Sequence, residues 1–143
     1  MRSFFTHSGW KPDSHPLEVA SQEIQERRIR QVVEMIDSEP ACSMRDLASK
    51  VSLSPAHLQR LFKQQTGAQL GGLMVERRLQ KAAHLLTISN LSIKEIAHAV
   101  GYKHHSSFVR AFERRFSQAP KHFRRQDAVK SQNSLANAHH SAS

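Results

Sequence analysis

The sequence predicts an all-α fold of about seven helices, in which one helix-turn-helix unit occurs twice and a long linker helix joins the copies. Three observations predict it. Ser43-Met44-Arg45-Asp46-Leu47-Ala48 recurs as Ser92-Ile93-Lys94-Glu95-Ile96-Ala97 at an offset of 49, and Leu58-Gln59-Arg60-Leu61-Phe62 recurs as Phe108-Val109-Arg110-Ala111-Phe112 at an offset of 50. Both copies open on Ser-x-x-Asp/Glu, in which a hydroxyl and a carboxylate satisfy orphan backbone donors at a helix start. No alternating apolar and polar run with hairpin turns appears, so nothing signals a strand. A repeat of this period is one supersecondary unit used twice.

Taken in order, residues 1–20 carry Gly9, Pro12 and Pro16 among polar residues and read as a flexible arm, although Phe4, Phe5 and Trp10 are unusual for disorder. Ile24, Ile29, Val32, Val33 and Ile36 recur at helical spacing, which predicts an amphipathic helix from Ser21 to about Ser38. Ser43 caps the next helix, which runs to about Val51 with Leu47, Ala48 and Val51 inward. Ser52-Leu53 make a tight turn. Ser54-Pro55 then open a helix as N-cap and first helical residue, with Leu58, Leu61 and Phe62 as its apolar stripe and Gly67 at its end. The linker helix spans about Gly72 to Thr87, roughly 24 Å at ~1.5 Å per residue, and its buried side is Leu73, Met74, Leu79, Ala82, Ala83 and Leu86.

The second unit repeats the first. Ile93, Ile96, Ala97 and Val100 face inward, Gly101-Tyr102 turn, and His104 or His105 to Phe116 form the second recognition-type helix on Phe108, Phe112 and Phe116. The step in offset between Val51/Val100 and Arg60/Arg110 puts one extra residue in the second turn. Pro120 opens a short last helix holding Phe123. Residues 127–143, rich in Ser, Asn, Ala and His, read as a disordered tail, which leaves 21–126 as the folded body.

Charge narrows the partners. The formal net charge is +9, and both ends are neutral, so the whole excess lies in 21–126. A basic folded body points to a polyanion, of which nucleic acid is the usual one. Cys42 is the single cysteine, which excludes an intramolecular disulfide and a cysteine metal cluster. The adjacent pairs His104-His105 and His139-His140 point apart on a helix, so no metal and no cofactor are expected. No nucleophile–base set and no phosphate-cradling glycine loop appears, and an enzyme is not expected. The start lacks a signal-peptide run and no window reaches the ~18 apolar residues of a membrane span. The expected location is the cytoplasm, at the nucleoid, with no membrane partner.

The pattern closely resembles the DNA-binding domain of the AraC/XylS family of bacterial transcription regulators. The resemblance rests on Ser92-Ile93-x-Glu95-Ile96-Ala97-x-x-Val100-Gly101-Tyr102, Ser107-Phe108-x-Arg110-x-Phe112 and Pro120-x-x-Phe123-Arg124 in the second unit. In the first unit it rests on Leu47-Ala48, Ser54, Leu58-x-Arg60-x-Phe62 and Gly67; Arg78-Leu79-x-x-Ala82 and Leu85-Leu86 resemble the family's linker helix. It covers residues 24–126. It implies two helix-turn-helix subdomains joined by a long helix, sequence-specific binding of double-stranded promoter DNA, and activation through contact with RNA polymerase. The chain departs from the family in three turns: Ser52 stands where the second copy has Gly101, Ser117 stands opposite Gly67, and Gln69-Leu70 replaces the start matched by Ala119-Pro120. Family members usually carry an effector domain, and the roughly 20 residues before the first helix are too few to form one, so a stand-alone DNA-binding domain is expected.

The buried stripe decides which residues face DNA. With Leu58, Leu61 and Phe62 inward, Ala56, Gln59, Arg60 and Lys63 project outward; with Phe108 and Phe112 inward, His105, Ser106, Val109, Arg110 and Glu113 do so. Gln59 suits adenine, an arginine suits guanine, and Ala56 suits a thymine methyl. The resemblance implies base reading from Ala56, Gln59, Arg60, His105, Ser106, Val109 and Arg110. Expected backbone contacts are Ser43, Ser54, Lys63, Lys103, His104, Lys121, Arg124 and Arg125. Lys103 to Arg125 holds seven Lys/Arg against one Glu, the most basic stretch of the chain. Two units in successive major grooves, ~10 bp apart, would let a monomer bind an asymmetric site. The alternatives are a nonspecific architectural DNA-binding protein and a truncated interaction partner of full-length regulators.

Overall fold

The computed structural model describes residues 16–141, with side-chain surroundings for residues 17–136. Most of the expected arm, with Phe4, Phe5 and Trp10, lies outside the described residues, as do the side chains of His139 and His140. Within them the chain forms seven helices and no strand: α1 Pro16–Ser38, α2 Met44–Lys50, α3 Pro55–Thr66, α4 Leu70–Ile88, α5 Ile93–Ala99, α6 His105–Phe116 and α7 Pro120–Ser141. No helix among the described residues is long and apolar enough to cross a membrane. The chain divides after Val75 into two compact units.

In the first unit α3 packs on α1 and α2. Ile29, Val32 and Ile36 of α1, Leu47, Ala48 and Val51, and Leu58, Leu61 and Phe62 of α3 form one core, with Leu70 and Met74 from the start of α4. In the second unit α6 packs on α5 and α7. Leu79, Ala82 and Leu86 from the rest of α4 join Ile96, Ala97, Val100, Phe108 and Phe112 in a second core. Burial of these side chains at ~25 cal/mol per Å² is the main force holding each unit together.

The repeat runs further than its sequence signature. Ile29, Val32 and Ile36 stand 50 residues before Leu79, Ala82 and Leu86, and every one of the six is buried. Likewise α4 begins at Leu70 and α7 at Pro120, both buried and again 50 apart. Each unit is therefore one long helix, a helix-turn-helix, and the start of a following helix. This corrects the predicted start of α4 at Gly72. It also explains the Gln69-Leu70 departure: Leu70 fills the buried first-turn place that Pro120 fills in the second copy.

The two inner turns are built alike. Leu53 N–H donates to Ala48 O and Ser52 N–H to Ser49 O; Tyr102 N–H donates to Ala97 O and Gly101 N–H to His98 O. This is the Schellman closure, which needs a left-handed residue just past the helix. Ser52 takes it at φ +59° and Gly101 at φ +99°; Ser117 at φ +61° and Gly67 at φ +78° close α6 and α3 by the simpler left-handed cap, each through one bond, to Glu113 O and Lys63 O. The two serines thus accept a conformation that glycine adopts freely and L-residues resist by about 1–2 kcal/mol. Ser52→Gly and Ser117→Gly are each expected to raise the urea midpoint, worth up to about 1 kcal/mol after glycine's extra chain entropy. A lowered midpoint would show that the serine hydroxyls repay the strain.

Beyond the turns the copies separate by one residue. Leu58 N–H donates to Ser54 O and Phe108 N–H to His104 O, so the N-caps stand 50 apart while the preceding turns stand 49 apart. The inserted residue is Lys103, directly after Tyr102.

Three expectations about extent change. α1 begins at Pro16 rather than Ser21, with proline at the first helical position where its missing N–H costs nothing. Ile24 was expected inside but is 45% exposed, because it belongs to the outer turns of α1, which are exposed from Leu17 to Ile24. α7 continues as helix to Ser141 where a disordered tail from residue 127 is expected. The segment has no Gly or Pro after Pro120 and several good helix formers, so local propensity sustains it, although residues 128–136 are exposed.

Candidate nucleic-acid interface

Each recognition-type helix is held by its buried stripe, so its other face is presented at a set angle. On α3, Ser54 Oγ accepts from His57 N–H at 3.2 Å, Pro55 occupies the first turn and Gly67 closes the end. Leu58, Leu61 and Phe62 are buried, while Ala56, Gln59, Arg60 and Lys63 are exposed. Gln59, Arg60 and Lys63 line one shallow concavity with Gln64, Gln69 and Gly71. This face carries two cations and no carboxylate on its helix, with amide and guanidinium groups suited to base edges.

On α6 the anchoring is aromatic. Phe108 meets Tyr102 edge-on with centroids 5.6 Å apart, and Phe112 lies 4.5 Å from Phe116 and 5.4 Å from Phe123. The opposite face brings His105, Ser106, Val109, Arg110 and Glu113 together around a second shallow concavity. His105, Ser106 and Arg110 are exposed as expected from the stripe. Val109 differs: it is half-buried and packs against the second core, because it flanks Phe108 on the edge of the apolar stripe. Only part of its side chain is left for a partner.

The expected backbone contacts divide into free and committed groups. Ser43 Oγ accepts from Asp46 N–H at 3.1 Å while Ser43 N–H donates to Asp46 Oδ2 at 3.2 Å, and Ser92 and Glu95 repeat this box at 3.0 and 3.3 Å. The hydroxyls of Ser43 and Ser54 are thus acceptors within their helices and retain a proton to donate. His104 occupies the N-cap of α6 without any side-chain cap bond, so the first amides of α6 lack the partner that Ser54 gives α3. Lys63, Lys103, Lys121 and Arg125 are exposed and form no ion pair among the described residues.

Arg124 is otherwise engaged. Its Nε donates to Leu86 O at 3.1 Å and its Nη2 to Ser89 O at 3.3 Å. A cation on the last carbonyls of α4 is favourable against the helix dipole, and it holds Arg124 half-buried against the end of that helix.

One pair escaped the sequence reading. Arg115 and Glu76 make a bidentate ion pair at 2.7 and 2.8 Å, and Gln80 Nε2 donates to the same carboxylate at 2.9 Å. Arg115 also lies 4.8 Å over the Phe116 ring. The partners are 39 residues apart, and no local pattern announces the pair. The Arg115 guanidinium, chiefly through its hydrogen bonds, holds the Glu76 carboxyl below its ordinary 4.5. A depressed folded value means that the pair's stabilisation is complete above 4.5 and is lost as pH falls through the folded value. Glu76→Gln is therefore expected to lower the melting temperature modestly at neutral pH, with the difference from the wild type closing in acid. The side chains are 46% and 31% exposed, so added salt should shrink the effect. A difference independent of pH would refute the assignment.

Comparison with known proteins agrees with this architecture. The family described as "Helix-turn-helix domain" matches residues 47–126, more than half of the chain. The Msm operon regulatory protein of Streptococcus mutans is 31% identical over 100 residues, covering 68% of this chain and 36% of that protein. The transcriptional regulator Rob of Salmonella typhimurium is 39% identical over 83 residues, covering 58% of this chain and 29% of that protein. The chain thus spans about a third of the length of these curated relatives. Among solved structures, a transcriptional regulator with an AraC-type DNA-binding domain from Chromobacterium violaceum superposes with a TM-score of 0.61 at 28% identity, covering 72% of this chain and 94% of that one. The chain belongs to the AraC/XylS type of helix-turn-helix DNA-binding domains.

Proposed function

We propose that this chain is a sequence-specific DNA-binding transcription regulator that lays α3 and α6 into successive major grooves of a promoter. One observation carries the reading. Both helices are fixed by a buried stripe, and both expose base-competent side chains on the opposite face: Ala56, Gln59 and Arg60 on α3, His105, Ser106 and Arg110 on α6, with the outer edge of Val109. Because the two exposed sets differ, the copies read different half-sites and one chain suffices for an asymmetric operator. Lys63, Lys103, Lys121 and Arg125 supply phosphate contacts around them, and the uncapped start of α6 at His104 presents free amides to another. The regulator acts as an activator through RNA polymerase.

Selection from a random duplex library tests this. The expected product is one non-palindromic consensus with two parts about one helical turn apart, bound by one chain per duplex. Equal competition by random DNA would identify a nonspecific architectural protein instead. Binding second order in protein would replace the monomer by a dimer. Loss of target transcripts on deletion, with recovery in a purified polymerase system, checks the sign of regulation.

A further inference from the structure

The two units are copies in fold but not in charge. Residues 1–75 hold nine Lys/Arg against eight Asp/Glu, a formal charge of +1, whereas residues 76–143 hold twelve against four, a formal charge of +8. The boundary between these counts is the one that separates the two compact units. The repeat allows a comparison position by position at the offset of 50. Arg110 has its counterpart in Arg60. Arg114 stands opposite Gln64, Lys121 opposite Gly71 and Arg125 opposite Val75, while Lys103 is the inserted residue and has no counterpart. All four are exposed. The second unit's other late cations, Arg115 and Arg124, are held by Glu76 and by the carbonyls of Leu86 and Ser89. Arg115 and Arg124 also stand opposite neutral residues, Gln65 and Met74, and the one exchange in the other direction between α3 and α6 is Lys63 opposite Glu113. Of the second copy's cations at places where the first is neutral, Lys103, Arg114, Lys121 and Arg125 are exposed and form no ion pair among the described residues.

We infer that the copies divide the work on DNA: the second unit anchors the phosphate backbone through Lys103, Arg114, Lys121 and Arg125, and the first adds sequence reading with little salt-dependent affinity. The inference rests on the DNA-binding reading above. Each phosphate neutralised by a cation releases condensed counterions and contributes roughly 0.9 to the slope of log affinity against log salt, whatever the sequence. Four such residues give the second unit a steep, sequence-independent grip. The first unit retains Arg60, Gln59 and Ala56 for base edges and has Lys63 as the one further cation on that helix, so its contribution depends more on sequence and less on salt than that of the second.

The test uses the full chain and a mixed-sequence duplex of roughly 30 bp, about three turns at ~10 bp each, with affinity followed over a salt series by anisotropy. The triple variant Arg114→Gln, Lys121→Gln, Arg125→Gln is expected to lose on the order of 100-fold in affinity and about 2.7 in slope. The reciprocal variant Gln64→Arg, Gly71→Lys installs the second unit's cations in the first. Gly71 is exposed, a Cβ added there meets nothing within 4 Å, and its backbone is helical, so a lysine is accommodated. It is expected to tighten binding at least several-fold and to steepen the slope by up to about 1.8. Far-UV circular dichroism checks that both variants are folded, and Lys103→Gln alone, at a loss of about 0.9 in slope, provides the same readout should the triple variant unfold. Unchanged slopes with wild-type binding intact would overturn the inference and leave the DNA-binding reading standing. Absence of wild-type binding to this duplex and to any selected one would overturn both.

Discussion

Phe112→Ala is expected to cost the second unit about 3–5 kcal/mol, the range for removing a buried phenyl ring from a packed core. Phe112 is fully buried, and its ring lies 5.8 Å from Phe108, 4.5 Å from Phe116 and 5.4 Å from Phe123, the last contact nearly perpendicular at 88°. The substitution therefore deletes the shared member of three ring pairs, each worth about 0.5–1.5 kcal/mol beyond area burial. A unit of this size, at about 0.05–0.15 kcal/mol per residue, has only about 3–10 kcal/mol of stability to lose. Unfolding of most of the second unit at physiological temperature is the expected result. Tyr102, the one tyrosine of the chain, packs edge-on against Phe108 and reports on this core through its ring resonances. The counterpart Phe62 lies in a core whose other described members include no aromatic ring. Phe62→Ala should cost a similar amount from transfer and cavity terms while leaving the Tyr102 signal in place. A cost below about 1 kcal/mol for Phe112→Ala would mean that the cluster collapses around the gap, as readily relaxing sites do.

What could be read from the chain, and what could not, follows from the range of each interaction. The capping boxes at Ser43 and Ser92, the tight turn at Ser52-Leu53, and the stripes Leu58-Leu61-Phe62 and Phe108-Phe112 are set by residues within a turn or two of each other. Local pattern therefore reveals them. The equivalence of Ile29, Val32 and Ile36 with Leu79, Ala82 and Leu86 was hidden, because a helix stripe conserves apolar character and spacing but no particular residue. The commitments of Arg115 to Glu76 and of Arg124 to Leu86 join positions 39 and 38 residues apart, so only the packed fold brings them together. These two arginines were counted in the basic stretch from Lys103 to Arg125, and the fold spends them internally. Val109 shows the limit of face analysis: a residue on the border of a stripe belongs to both faces.

Arg60→Ala and Arg110→Ala should each weaken binding to the selected operator by about 1–3 kcal/mol, roughly 5- to 150-fold, while relaxing base preference at one position. The argument starts from the repeat. On the two recognition-type helices these are the cations that occupy equivalent places, each exposed and each within the concavity on its own helix, beside Gln59 in one and Ser106 in the other. A guanidinium on a base edge makes two fixed hydrogen bonds to guanine, and truncation leaves those acceptors unpaired. A phosphate contact at the same place behaves differently, weakening all sequences alike and lowering the salt slope by about 0.9. Measuring each variant on the selected operator, on single-base variants of it and on mixed-sequence DNA separates the two. The expected pattern is a large loss on the operator, a small one on mixed DNA, and indifference to one base pair that the wild type discriminates. Because the arginines sit in separate units with separate cores, the double variant should lose the sum of the two effects. Uniform loss on every duplex would turn both residues into phosphate contacts and leave Gln59, Ala56, His105 and Ser106 to carry the reading.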